Sequence, residues 1–206
     1  MPSPALPGLF FCFAAVVLLI FVSVSPPVWD KVNFLHVTAH SQKTVFGVFG
    51  ECIQGGNCTK RAVGYNLVVY GAQNVNINDK GFHSLTKALI LHPIAGLLAL
   101  IALLFGLMGV GCASRGATIM MALTSAVAFL VTLVVFVIDI VMWVIIRHRV
   151  RNAGYDAHLG NANWLTIGAV GALFLATCTS VCGSCGRFAR GRMAGEKVSR
   201  LDALWR

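Results

Sequence analysis

Charge is scarce in this chain. Only 11% of its 206 residues are Asp, Glu, Lys or Arg, and only seven are acidic. A soluble domain carries about 25% charged residues, so a surface wetted all round is excluded. The patterns of catalysis are missing as well. There is no paired-carboxylate motif, no Gly-rich phosphate loop, and no Ser or Cys nucleophile beside a base. That composition points away from an enzyme, a metal centre or a bound cofactor. The net charge of +9 comes without the aromatic interleaving or recognition motif of a nucleic-acid surface. Six of the sixteen Lys and Arg follow Cys185, where attraction to a membrane surface accounts for them better.

What the chain has is apolar sequence. Hydrophobic residues make up 57%, with a mean hydropathy of +0.80, and they fall in four long blocks. This predicts an all-α membrane protein, a four-helix bundle in the lipid bilayer. The first block, Gly8 to Val24, ends at Pro26-Pro27, near the lower length limit for a spanning helix. A cleaved signal peptide is the rival reading. The amino end has no Lys or Arg, and Ser23-Val24-Ser25 before the prolines is a poor small-x-small cleavage site, which favours an uncleaved span. The spans are expected at about 8–25, 88–112, 117–146 and 164–184, in a membrane domain over 1–185, with a short basic tail over 186–206. Small residues at helical spacing mark packing faces: Ala95, Ala99, Ala102, Gly106 and Gly109, then Gly168, Ala172 and Ala176. The third span is long enough to tilt or project, and Arg147, Arg149 and Arg151 close it. Trp143 and Trp164 sit where an interfacial aromatic belt would lie.

The loop over 26–87 holds the most informative stretch. Cys52 and Cys58 bracket Gly55-Gly56, the arrangement of a short turn clipped by a disulfide, and Asn57-Cys58-Thr59 fits the N-glycosylation pattern. Both need an oxidising compartment. Together they put this loop outside and both termini in the cytoplasm. Thr44 to Phe49 and Tyr65 to Tyr70 read as strands of a small extracellular antiparallel sheet, with Asn74 to Asp79 turn-like.

Trp29 followed by Gly47-Val48-Phe49-Gly50-Glu51-Cys52 and Cys58 resembles the claudin-like signature Trp…Gly-Leu-Trp-x-x-Cys…Cys, with Phe49 in place of the second tryptophan. A closer likeness is to the fungal Sur/PalI family, and within it to the PalI (Rim-type) regulators of the ambient-pH response. Its marks are Phe46-Gly47 through Cys52 and Cys58 to Gly64-Tyr65, the run Leu85 to Pro93 entering span two, and Asp139 with Arg147-His148-Arg149-Val150 in span three. The likeness covers about residues 8–185. It implies a non-enzymatic plasma-membrane accessory that assists a seven-span pH receptor working with an arrestin-like partner. The Sur and claudin side implies the alternative, a self-associating structural organiser of membrane domains. PalI proteins usually carry a long cytoplasmic tail, whereas about twenty residues follow the last span here, which keeps a different task open.

Three further groups have both a functional and a plain reading. Asp139 is the only acid within a span, so it should face the bundle and find a partner or stay protonated. A helix-to-helix hydrogen bond is favoured over a sensor or ion path. All six histidines (His36, His40, His83, His92, His148, His158) fall outside or, as His92 does, at the outer end of span two. Histidine titrates where ambient pH varies, although a merely solvated surface accounts for most of that distribution. Cys178, Cys182 and Cys185, with Cys112, gather at the inner face, as S-palmitoylation would need. Their spacing is not that of a four-thiolate zinc site, and Cys12 reads as packing.

Overall fold

The computed structural model describes residues 6–39, 42–67, 85–111 and 115–185. Four helices carry the chain: α1 (Leu6–Ser23), α2 (Leu91–Gly111), α3 (Arg115–Asn152) and α4 (Asn161–Cys185). All four are long and apolar enough to cross a membrane. They form a ring in which α1 touches α2 and α4, and α3 touches the same two.

Small side chains decide how the helices meet. Ala95, Ala99, Ala102 and Gly106 of α2 are buried one turn apart, against Cys12, Ala15, Leu19, Met121 and Ala128 of the neighbours. In hydrocarbon no water is released when helices associate, so close backbone approach supplies the contact energy. A Cβ on Gly106 would lie 2.8 Å from Met121 Sδ and 2.9 Å from Leu9 Cδ1. Leu97, Leu100, Leu104 and Leu107 point the other way, exposed, as a lipid-facing stripe. On α4 the buried row is Ala162, Thr166, Ala169, Leu173, Ala176 and Ser180. It runs beside the expected one: Gly168 is exposed and Ala172 half-buried, because the helix is rotated to meet both α1 and α3.

At one end of the bundle sits a four-stranded antiparallel sheet, β1 (Leu35–Ala39), β2 (Gln42–Phe46), β3 (Glu51–Ile53) and β4 (Asp156–Leu159), in the order β3-β2-β1-β4. The strand expected over Thr44 to Phe49 is β2, shifted to Gln42–Phe46, while β1, β3 and β4 lie outside the sequence expectation. Tyr65–Leu67 is not a strand, since the Tyr65 hydroxyl and carbonyl are engaged in the loop instead. β4 comes from the short connection between α3 and α4. Residues 68–70, 74–79 and 112 and the tail over 186–206 lie outside the described residues.

α3 explains how sheet and bundle join. Its 38 residues make a rod of about 57 Å at 1.5 Å per residue, against a hydrocarbon thickness of about 30 Å. The surplus carries Met142, Trp143, Ile146 and Val150 into a second core with Phe34, Leu35, Val37 and Phe46 of the sheet region. Trp143 is therefore not in an aromatic belt: it is 0% exposed and covered by the sheet, whereas Trp164 is 74% exposed. Arg149 and Arg151 lie in the last helical turn, where cations suit the helix dipole.

Candidate functional site: the clipped loop and the polar pair beneath it

The loop after β2 is held by backbone contacts more than by side chains. Gly47 lies against the Pro26 backbone so closely that a Cβ would overlap the Pro26 carbonyl oxygen. Val48 donates its N–H to Ser25 Oγ at 2.9 Å, and Gly47 donates to the Gly50 carbonyl at 2.9 Å. The chain must therefore be bare of side chain at 47. Gly50 is similarly confined, a Cβ there lying 2.7 Å from Thr59 Oγ1. Tyr65 donates its hydroxyl to the Gly47 carbonyl at 2.7 Å, and the Tyr65 carbonyl accepts from Thr86 Oγ1 at 3.2 Å. Burial first, and the nearby Glu51 charge second, raise the Tyr65 hydroxyl well above its ordinary value. It remains a donor throughout the physiological range. Gly64, at φ +73°, makes the left-handed turn that brings Tyr65 back, with its open side against the Lys87 stem.

Cys52 and Cys58 are bonded to each other, Cα to Cα 4.1 Å. Asn57 is exposed beside them, and its carbonyl accepts from Ile53 N–H at 3.2 Å. Asp30 approaches the two sulfurs, which, being bonded together, offer no thiolate to a metal. Phe49 packs at the edge of the sheet core. Trp29 is 40% exposed, with its ring 5.7 Å from that of Phe21 at the end of α1.

Directly beneath the sheet core lies a polar pair that joins two helices. His92, at the second residue of α2, places Nε2 3.0 Å from Asp139 Oδ2 of α3, with the side chains 0% and 1% exposed. Nδ1 of the same ring lies 3.1 Å from the Leu89 carbonyl. A carbonyl can only accept, so Nδ1 holds a proton, and Nε2 is the ring nitrogen left to face Asp139 Oδ2. The contact is close but not well aligned for a hydrogen bond. Asp139 Oδ1 and Trp143 Nε1, one turn apart on α3, have no hydrogen-bond partner among the described residues. Phe34 roofs the pair, 5.3 Å edge-on to the His92 ring and stacked 5.7 Å from Trp143.

Phe34 and β4 carry this arrangement and were not singled out in the sequence. Asp156-Ala157-His158-Leu159 does alternate, the signal of a half-buried strand, but four residues after a helix are too few to stand out. Phe34 has no sequence signal. At the far end, Cys178 and Cys182 are exposed free thiols on α4, and Cys185 closes that helix. Cys12 is buried, its thiol 3.4 Å from the Ala99 carbonyl.

Four apolar helices in a ring, capped at one end by a disulfide-clipped antiparallel sheet, define a claudin-like four-span membrane protein. Residues 4–179 match the model of the SUR7/PalI family, and the chain belongs to that family. It is 29% identical over 160 residues to the pH-response regulator protein palI/RIM9 of Yarrowia lipolytica, covering 75% of this chain and 20% of that protein. It is 28% identical over 154 residues to palI/prr-5 of Neurospora crassa, covering 70% and 21%. A palI/RIM9 of Emericella nidulans is 32% identical over 108 residues, covering 49% and 18%. The chain thus spans about one fifth of the length of these curated relatives.

Proposed function

We propose that this protein is a non-enzymatic plasma-membrane accessory of fungal ambient-pH signalling. In this reading the sheet faces outside, both termini are cytoplasmic, and the protein acts by binding another membrane protein. The observation that carries the reading is the match of three quarters of the chain to a named pH-response regulator. The Cys52–Cys58 bond supports the orientation, because such bonds persist in oxidising compartments. The partner that the family resemblance implies is a seven-span pH receptor, and the bundle has ample lipid-facing surface on α2 and α3 to meet one. Deleting the gene should impair growth at alkaline pH, and the intact chain should restore it. Normal alkaline growth combined with loss of surface patches would favour the membrane-organiser reading instead.

A further inference from the structure

Among the described residues, the two stretches that flank the sheet end of the bundle, 24–90 and 153–160, meet in the sheet where β4 pairs with β1. At the middle of that pairing His36 stands directly opposite His158, their rings stacked 5.4 Å apart at 20°. We propose that this histidine pair is a pH-sensitive latch, holding β4 to β1 when both rings are neutral and loosening it when they take up protons. The inference deepens the pH-response reading above and rests on it for what the latch would serve.

The geometry assigns the role. β1 turns Leu35, Val37 and Ala39 into the core and His36 and Thr38 to the opposite face. His158 is exposed beside them, so both rings can exchange protons with the medium. Neutral imidazoles stack favourably. Two imidazolium ions directly opposite one another across a strand pair repel. The surrounding charges sharpen the contrast. Lys43 of β2, opposite Thr38, adds a third positive group on the same face, and Asp156 of β4, also opposite Thr38, is the acid that offsets one of them. From the other face Arg147 of α3 donates to the Ala157 carbonyl at 3.3 Å and brings another cation.

Burial, then the facing His158 and Lys43, lower the His36 pKa. For a histidine held below its ordinary value, stability is full above that ordinary value and is lost as pH falls from it through the lowered one. The latch is therefore closed at alkaline pH and weakened in acid. The loosening is local, because the residues after β4 have separate anchors. Gly160 donates its N–H to the Phe34 carbonyl at 2.8 Å, and Asn163 Nδ2 donates to the same oxygen at 2.8 Å.

Amide hydrogen exchange on the full chain in lipid nanodiscs, at about pH 7.5 and about pH 5 on either side of the imidazole range, reads the latch. After correction for intrinsic rates, protection of 156–159 should fall on the order of tenfold in acid, the factor that one pH unit of proton linkage supplies. Protection in β2, β3 and the helices should hold. His36→Gln/His158→Gln should abolish the acid loss. Lys43→Glu, which leaves both rings in place, should shrink it. Equal protection of β4 at both pH values, or an acid loss undiminished in these variants, would overturn the latch. Exchange is independent of signalling. A flat profile in a chain whose deletion abolishes alkaline growth sinks the latch alone; a responsive β4 with normal alkaline growth after deletion sinks the functional reading alone.

Discussion

A carboxylate and an imidazole, both buried in the bundle, meet between α2 and α3, and the energetic question there is whether charge or hydrogen bonding matters. The Nδ1 contact to Leu89 leaves Nε2 able to accept, so an amide in place of the carboxylate can donate to it. Asp139→Asn should therefore preserve surface expression and alkaline growth. Asp139→Leu strands His92 Nε2 without its contact on α3 and should reduce assembly by on the order of 1 kcal/mol, the usual worth of a membrane hydrogen bond. Loss of the alkaline response in the Asn variant at normal expression would show that the charge itself is needed. The loop glycine offers a second test at this scale. Gly47→Ala presses a methyl into the Pro26 backbone, which has no flexible end to yield. Overpacking of this kind costs about 1–3 kcal/mol, readable as a lowered thermal midpoint in detergent, with Tyr65→Phe giving the smaller loss of one hydrogen bond, about 1 kcal/mol.

Elements decide the chemistry that reagents can reach. Among the described cysteines, Cys52 and Cys58 are bonded and Cys12 is buried, while Cys178 and Cys182 are exposed at the opposite end of the bundle. On intact cells a non-permeant maleimide should label the chain only after mild reduction. Labelling of Cys52 or Cys58 without reductant would break the disulfide assignment, and labelling of Cys178 or Cys182 on intact cells would invert the orientation. The junction of α3 with the sheet is the mechanical centre of this end. Trp143→Ala removes a side chain stacked on Phe34 and packed near Phe46. It should cost about 3–5 kcal/mol and should raise exchange in β1 and β4 together, whereas Trp164→Ala, at an exposed position, should leave both unchanged.

At the scale of the whole molecule, orientation and anchoring remain to be tested together. With the sheet outside, Asn57 is an exposed sequon, and a glycosidase-sensitive mobility shift lost in Asn57→Gln would mark that side as lumenal. The opposite end carries Cys178, Cys182 and Cys185, and six basic residues follow them in the sequence. One acyl chain plus a polybasic segment gives stable attachment to an anionic leaflet. Hydroxylamine-sensitive acyl exchange should thus label the wild type and weaken in a Cys178/Cys182/Cys185→Ser variant. Absence of signal in the wild type ends that idea.

Four apolar blocks, two cysteines six apart and a glycine-rich loop were enough to predict four apolar helices and the clipped turn, because length in lipid and ring closure are local constraints that composition expresses directly; the claudin-like class came from the family resemblance. The family likeness could be read for the same reason: its residues lie in short contiguous runs. Partnership was not local. His92 and Asp139 were each visible as intramembrane polar groups, but their 3.0 Å contact depends on how α2 docks on α3. Trp143 looked interfacial by position along the chain, and became core only because α3 overshoots the bilayer and a sheet folds over it. His36 and His158 are 122 positions apart and meet through a strand of four residues. Tertiary packing alone decides such contacts, since the free energy that selects them is spread over two cores and recorded at no single stretch of sequence.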